Sequence, residues 1–176
     1  KAVQIRHSAY ARHLPEFARS LQKAEREDTE SGVTVLLAES KLDGSPLGTM
    51  RIQTNTHRPL TLESSVPLPE WMVGKRLAEA TRLAVTNESV GRMVKTVLFK
   101  AYFQYCLQTG IEWMVIAGRS PIDRQYDRLL TSFARTGFTA DNSEFLAADN
   151  RDLNRFDGYG WQKTLLAQAR GRFVVF

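Results

Sequence analysis

Residues 77–85, Leu-Ala-Glu-Ala-Thr-Arg-Leu-Ala-Val, alternate as a strand does. The alternation places Glu79 and Thr81 on one face with Leu77, Leu83 and Val85, and Ala78, Ala80, Arg82 and Ala84 on the other. A carboxylate between leucines is costly to bury unless something pairs with it. Either Glu79 is a general base that takes a proton from an amine through a water, or it forms a structural salt bridge with an arginine. Arg51, in Gly48-Thr49-Met50-Arg51-Ile52, is the second candidate. Its guanidinium either grips a carboxylate bidentately or sits at a sheet edge. Tyr126 keeps helical spacing with Ile122, Leu129, Leu130 and Phe133, the spacing of core packing. His7, His13 and His57 lack metal-ligand spacing, and Cys106 is the only cysteine, so neither a zinc site nor an internal disulfide is expected. Cys106 lies in an apolar helical pattern and reads as packing. There is no Gly-x-Ser-x-Gly nucleophile motif.

These residues need elements to position them. Residues 3–6 read as a short strand, and residues 12–29 as a helix with Leu14, Phe17, Leu21 and Ala24 at its buried spacing. Val33 to Ala38 is a β-branched and leucine run, expected as a buried strand. Asp43-Gly44-Ser45-Pro46 is turn chemistry, and Leu47 to Thr54 returns as the second strand of a hairpin. Residues 55–75, with Pro59, Pro67 and Pro69, form an irregular excursion. Its Trp71 and Met72 either line a tunnel or plug the core. Residues 91–109 predict a helix stopped by Gly110, and Glu112 to Ala117 a buried strand. Ser120-Pro121 opens a further helix that Gly137 ends. Phe145–Ala148 and Phe173–Phe176 read as strands, and Arg151–Gly160 as a loop. This order predicts a single α/β (α+β) domain over residues 1–176, with helices on the faces of a mixed sheet.

A chain of 176 residues can bury a substantial core. No apolar stretch approaches the ~18 residues that cross a bilayer, so membrane insertion is not expected. The chain begins at Lys1, which suggests trimming and leaves open a lost targeting segment. One cysteine suits a reducing cytoplasm. The net charge is +5, and residues 91–136 hold seven basic against three acidic residues. Such a field steers an acidic partner: a carrier protein, a cofactor phosphate or nucleic acid. The basic residues alternate with a packing face and form no recognition motif, so nucleic acid is not expected.

Three segments taken together resemble the Gcn5-related N-acyltransferase superfamily, in the branch of N-acyl amino acid synthases and acyl-homoserine-lactone synthases. Glu79-Ala80-Thr81-Arg82-Leu83-Ala84-Val85 resembles the Glu-x-Ser-Arg-Phe-x-Val strand of autoinducer synthases. Gly48 to Ile52 resembles the Gly-x-x-Arg-Leu segment. Tyr126 stands where the superfamily has its tyrosine, although its spacing to Gly137-Phe138 is longer. The resemblance implies a mostly antiparallel, splayed sheet flanked by helices, with the thioester entering between the fourth and fifth strands. It implies that Glu79 activates the amine, that Tyr126 protonates the leaving thiolate, and that Arg51, Thr81, Arg82 and Trp71 face the acceptor or the acyl chain. Backbone N–H groups of Ala84, Val85 and Thr86 would meet the oxyanion and pantetheine. Gly91, Arg92 and Lys95 would contact the pantetheine phosphate. Glu88-Ser89-Val90-Gly91-Arg92-Met93 departs from the usual coenzyme A loop and has an acidic residue where phosphate would lie. That favours acyl-phosphopantetheine on acyl carrier protein over acyl-coenzyme A, as a co-substrate and not a tightly bound cofactor. The implied reaction moves a fatty acyl chain to the amine of an amino acid or similar small acceptor. The alternatives are acyl-homoserine-lactone synthesis, although the acidic residues at 20–32 lack that family's tryptophan, and a non-catalytic module that binds acyl carrier protein or lipid.

Overall fold

The computed structural model describes residues 1–64, 67–68, 70–86, 89–119, 145–147, 162–168 and 172–175. Two compact units form, one from Lys1–Gln53 with Ala80–Gln104, the other from Thr54–Glu79 with Tyr105–Phe176.

In the first unit, strands β1 (Val33–Glu39) and β2 (Pro46–Thr54) pair antiparallel, with Val35 opposite Arg51 and Leu37 opposite Thr49. The turn between them closes as expected: Ser40 N–H donates to Ser45 O at 2.9 Å, and Gly44 has a φ of 68°. β3 (Leu77–Val85) follows β2 in the sheet. Helix α3 (Ser89–Thr109) lies on the β2 face that carries Gly48. A Cβ on Gly48 would come within 2.6 Å of Val94 Cγ1 and 3.1 Å of both Leu98 Cδ1 and the Ala84 carbonyl. The missing side chain thus sets how closely the helix lies on the strands.

The opposite face of β2 is polar, yet it is buried. Thr49, Arg51 and Gln53 are as inaccessible as Met50 and Ile52 between them. Period-two alternation would put those polar residues in water. They are instead covered by the N-terminal segment, where two sequence expectations fail. Residues 3–6 are part of a helix, α1 (Ala2–Ala11), because Ile5 and Ala9 bury one helical face with Arg6 beside them. The apparent strand came from β-branched Val3 and Ile5 at a spacing of two. Residues 12–29 are not one helix. Pro15 begins a single short helix, α2 (Pro15–Ser20), and a separate three-ten turn covers Arg26–Thr29. β1 is only half-buried rather than fully buried.

In the second unit the excursion after β2 forms two three-ten turns, Thr61–Ser64 and Glu70–Met72. Leu60, Leu62 and Met72 are buried there. The Asn55 side chain ties its ends by donating to Lys75 O and accepting from Leu77 N–H, both at 2.8 Å. Gly110, at φ 67°, ends α3, and β4 (Trp113–Arg119) follows. β4 pairs antiparallel with β6 (Gln162–Gln168), and β6 with β7 (Arg172–Val175); β5 (Phe145–Ala147) lies parallel to β7. β6 was not anticipated from the sequence. The expected helix from Ser120 to Gly137 and the loop at 151–160 lie outside the described residues. Among the described residues no helix is long and apolar enough to cross a membrane.

Gly48→Ala is expected to lower stability by about 1–3 kcal/mol, because Val94 and Leu98 must yield to the new methyl. Urea denaturation of the purified variant measures this.

Candidate active site

The first unit holds a charged cluster beneath the polar face of β2. Its carboxylates come from the three-ten turn, whose capping box fixes them: Glu25 N–H donates to Asp28 Oδ2. Arg6 of α1 is 1% exposed and donates to Glu25 at 2.9 Å and to both Asp28 oxygens at 2.8 and 3.0 Å. Arg51 lies 3.4 Å from Glu25 and from Asp28, 3.9 Å from Glu27, and donates to the Thr81 hydroxyl at 3.3 Å. Arg82 grips both oxygens of Glu25, with Nε at 2.8 and 3.0 Å and Nη2 at 2.7 Å. Its guanidinium also lies over the Phe17 ring, 5.1 Å from the centroid.

Burial pushes the Glu25 and Asp28 carboxyls up. The arginine hydrogen bonds and charges outweigh burial, and both groups stay below their ordinary values. Burial pulls Arg82 down, but its bonds to Glu25 leave it raised; for Arg51 burial prevails and the group is lowered.

Several site expectations change here. Thr81 and Arg82 do not face opposite ways. Residue 82 has a φ of 53°, so the alternation breaks and both side chains reach the same cluster. The Arg51 guanidinium is buried among carboxylates of its own chain. Thr86 N–H donates to Leu47 O at 3.0 Å and the Ala84 carbonyl also turns toward β2, so of the three expected oxyanion donors only Val85 faces away from that strand. Gly91 is needed because a Cβ there would lie 2.2 Å from the Thr86 carbonyl, so the first turn of α3 presses on the end of β3. Arg92 is exposed, and Lys95 is half-buried and lowered by burial. Arg6, Glu25 and Asp28 had no site role on sequence grounds. The signal was the acidic run Glu25, Glu27, Asp28 and Glu30 in a basic chain that places arginines on separate elements.

In the second unit Glu79 is 2% exposed, and its Oε2 accepts from Leu62 N–H at 3.0 Å. The next residue of the same turn, Glu63, lines a cavity of about 300 Å³ with Asn55, Pro67, Leu68, Met72, Val73 and Gly74. Met72 is core, whereas Trp71 is exposed and packs against Trp113 with ring centroids 4.8 Å apart. Burial pushes the Cys106 thiol up, which suits packing and not nucleophilic chemistry. Tyr126 lies outside the described residues.

The family model of the N-acyl amino acid synthase FeeM matches residues 1–148. The chain belongs to that family. The solved structure of FeeM, an N-acyl amino acid synthase from uncultured soil microbes, superposes with a TM-score of 0.55 at 21% identity, over 70% of this chain and 66% of that one. A coenzyme-A-dependent acyl-homoserine lactone synthase, BjaI, solved with SAM and isopentyl-CoA, gives 0.50 at 17% identity over 77% and 62%. These likenesses establish the fold, an open mixed sheet with helices. A protein of Fuscovulum blasticum, "ATP synthase subunits region ORF 6", is 58% identical over 52 residues, which are 30% of this chain and 21% of that protein. The chain thus spans about a fifth of that curated relative and slightly under two thirds of the two solved synthases.

The cluster makes stability depend on acid. Because Glu25 and Asp28 are depressed in the fold, their contribution is complete above their ordinary values of 4.5 and 3.8 and is lost as pH falls below them. Melting temperature is expected to drop steeply in that window, and less steeply in Asp28→Asn. Removing Arg6 with Arg6→Met should cost about 1.5–3 kcal/mol at neutral pH, since the part-buried Glu25 and Asp28 lose charge-assisted hydrogen bonds while keeping Arg51 and Arg82.

Proposed function

We propose that this chain is an N-acyltransferase that moves a fatty acyl group from a thioester to the amine of an amino acid or similar small acceptor. Membership of the synthase family supports the reaction class. The observation that carries the reading to residues is Glu79, an inaccessible carboxylate on β3 that accepts from the Leu62 backbone N–H.

In the proposed mechanism the amine nitrogen attacks the thioester carbonyl and Glu79 receives its proton. The burial of Glu79 calls for a water as relay between base and amine. The carbonyl oxygen becomes an oxyanion, for which the Val85 N–H group is the assigned donor. The carbon–sulfur bond then breaks, and the thiolate takes a proton from Tyr126. Arg51, Thr81 and Arg82 shape the acceptor side from within their cluster, and Trp71 offers an exposed apolar surface to an acyl chain.

The donor is assigned to acyl carrier protein. Three features support this. The segment Glu88-Ser89-Val90-Gly91-Arg92-Met93 departs from the coenzyme A pattern. Arg92 is exposed beside Met93 and Val97, which are 64% and 52% exposed, so a basic and apolar face is available to an acidic partner. The Thr86 hydroxyl is buried beside Gly91 without a partner among the described residues, and it would bond a pantetheine amide or phosphate. Coenzyme A is the second reading, since BjaI is described as dependent on it.

Lipid extracts from cells producing the protein should contain N-acyl amino acids by mass spectrometry. Extracts from cells producing Glu79→Gln should lack them, with turnover in vitro reduced about 100-fold or more. Absence of any new product with the unaltered protein would sink the reading. Acyl carrier protein and coenzyme A thioesters offered side by side decide the donor.

A further inference from the structure

We propose that Glu25 is a positioning residue for acyl transfer: by clamping the Arg82 guanidinium it holds residue 82 left-handed, and so sets the aim of Val85. The proposal rests on the acyl-transfer reading, in which Val85 supplies an N–H group to the oxyanion.

Among the described residues Arg82 is the only non-glycine residue with a positive φ, at 53°. A side chain with a Cβ resists that conformation, and it persists only where its surroundings over-determine it. Here they do. Both Glu25 oxygens are engaged by Arg82, and the Phe17 ring supports the guanidinium from one side. In a regular strand the guanidinium would lie on the face opposite Thr81, out of reach of this carboxylate. The left-handed residue turns it back. A local irregularity of this kind bends a strand and re-aims the residues that follow.

Glu25 is itself held firmly. Arg6 and Arg51 contact its carboxylate, and the capping box fixes its backbone. Downstream of the bend the strand is tied again, with Val85 O accepting from Arg12 at 2.8 Å and Thr86 N–H bonded to Leu47. Leu83 to Val85 therefore run between a clamped bend and a tethered end. Oxyanion donors work when they are aimed before the reaction.

The test compares Arg82→Gly with Arg82→Ala in the purified protein. Both delete the guanidinium, but only glycine accepts a positive φ without its clamp. We expect kcat of Arg82→Gly to exceed that of Arg82→Ala by about tenfold, with KM values within about threefold of each other. Crystal structures should show residue 82 left-handed in the glycine variant and displaced in the alanine variant. Glu25→Gln should behave as Arg82→Ala does, and adding Arg82→Gly to it should restore kcat to the level of Arg82→Gly alone. Equal loss in both Arg82 variants would mean that the guanidinium itself meets substrate, and overturns the proposal. So does a left-handed residue 82 that survives in Arg82→Ala. If Glu25→Gln does not fold, the two Arg82 variants decide, because Glu25 keeps Arg6 and Arg51 in both. If the unaltered protein transfers no acyl group, the functional reading fails, and the crystal structures alone decide the clamp.

Discussion

Two carboxylates shared among three arginines organise the first unit. Glu25 and Asp28 come from one short turn, while Arg6, Arg51 and Arg82 come from a helix and two strands. Each buried charge on its own would be prohibitive. Together they satisfy one another, and the N-terminal segment must lie where it does for that to happen. The polar side of β2 exists because of this arrangement. Thr49 and Arg51 are buried without being apolar, since a hydroxyl donating to Leu36 O and a set of ion pairs replace solvent.

The elements from β1 to β4 were legible because single segments carried them. The hairpin announced itself through Asp43-Gly44-Ser45-Pro46, and α3 through its apolar spacing and Gly110. Neither needs a distant partner to be recognised. The N-terminal elements were misread for the opposite reason. Arg6 in a helix and Glu25 in a turn make sense only once each has found the other, and the acidic run at 25–30 signals a need for cations without saying which arginines meet it. Spacing by two at Val3 and Ile5 therefore suggested a strand, and continuous helical spacing from Leu14 to Ala24 concealed a chain that folds in two short pieces.

The site was legible in residue type more than in direction. Glu79 stood out because a carboxylate among leucines needs a reason, and its burial with a backbone donor fits that concern. Arg82 was assigned to the wrong face because strict alternation assumes an extended backbone at every residue. One left-handed residue is enough to invalidate the assumption, and no residue type at position 82 signals it. The cluster also changes the meaning of Arg51. A guanidinium already engaged by its own chain can orient Thr81, but it is not an open hand for a substrate carboxylate.

The contact between Gly91 and the Thr86 carbonyl has a mechanical consequence. With no atom to spare between them, the end of β3 and the first turn of α3 cannot shift independently. A 21-residue helix is a stiff rod. Any sideways step of the strand terminus must therefore be followed at once by the base of that rod, so the two travel as a single rigid joint.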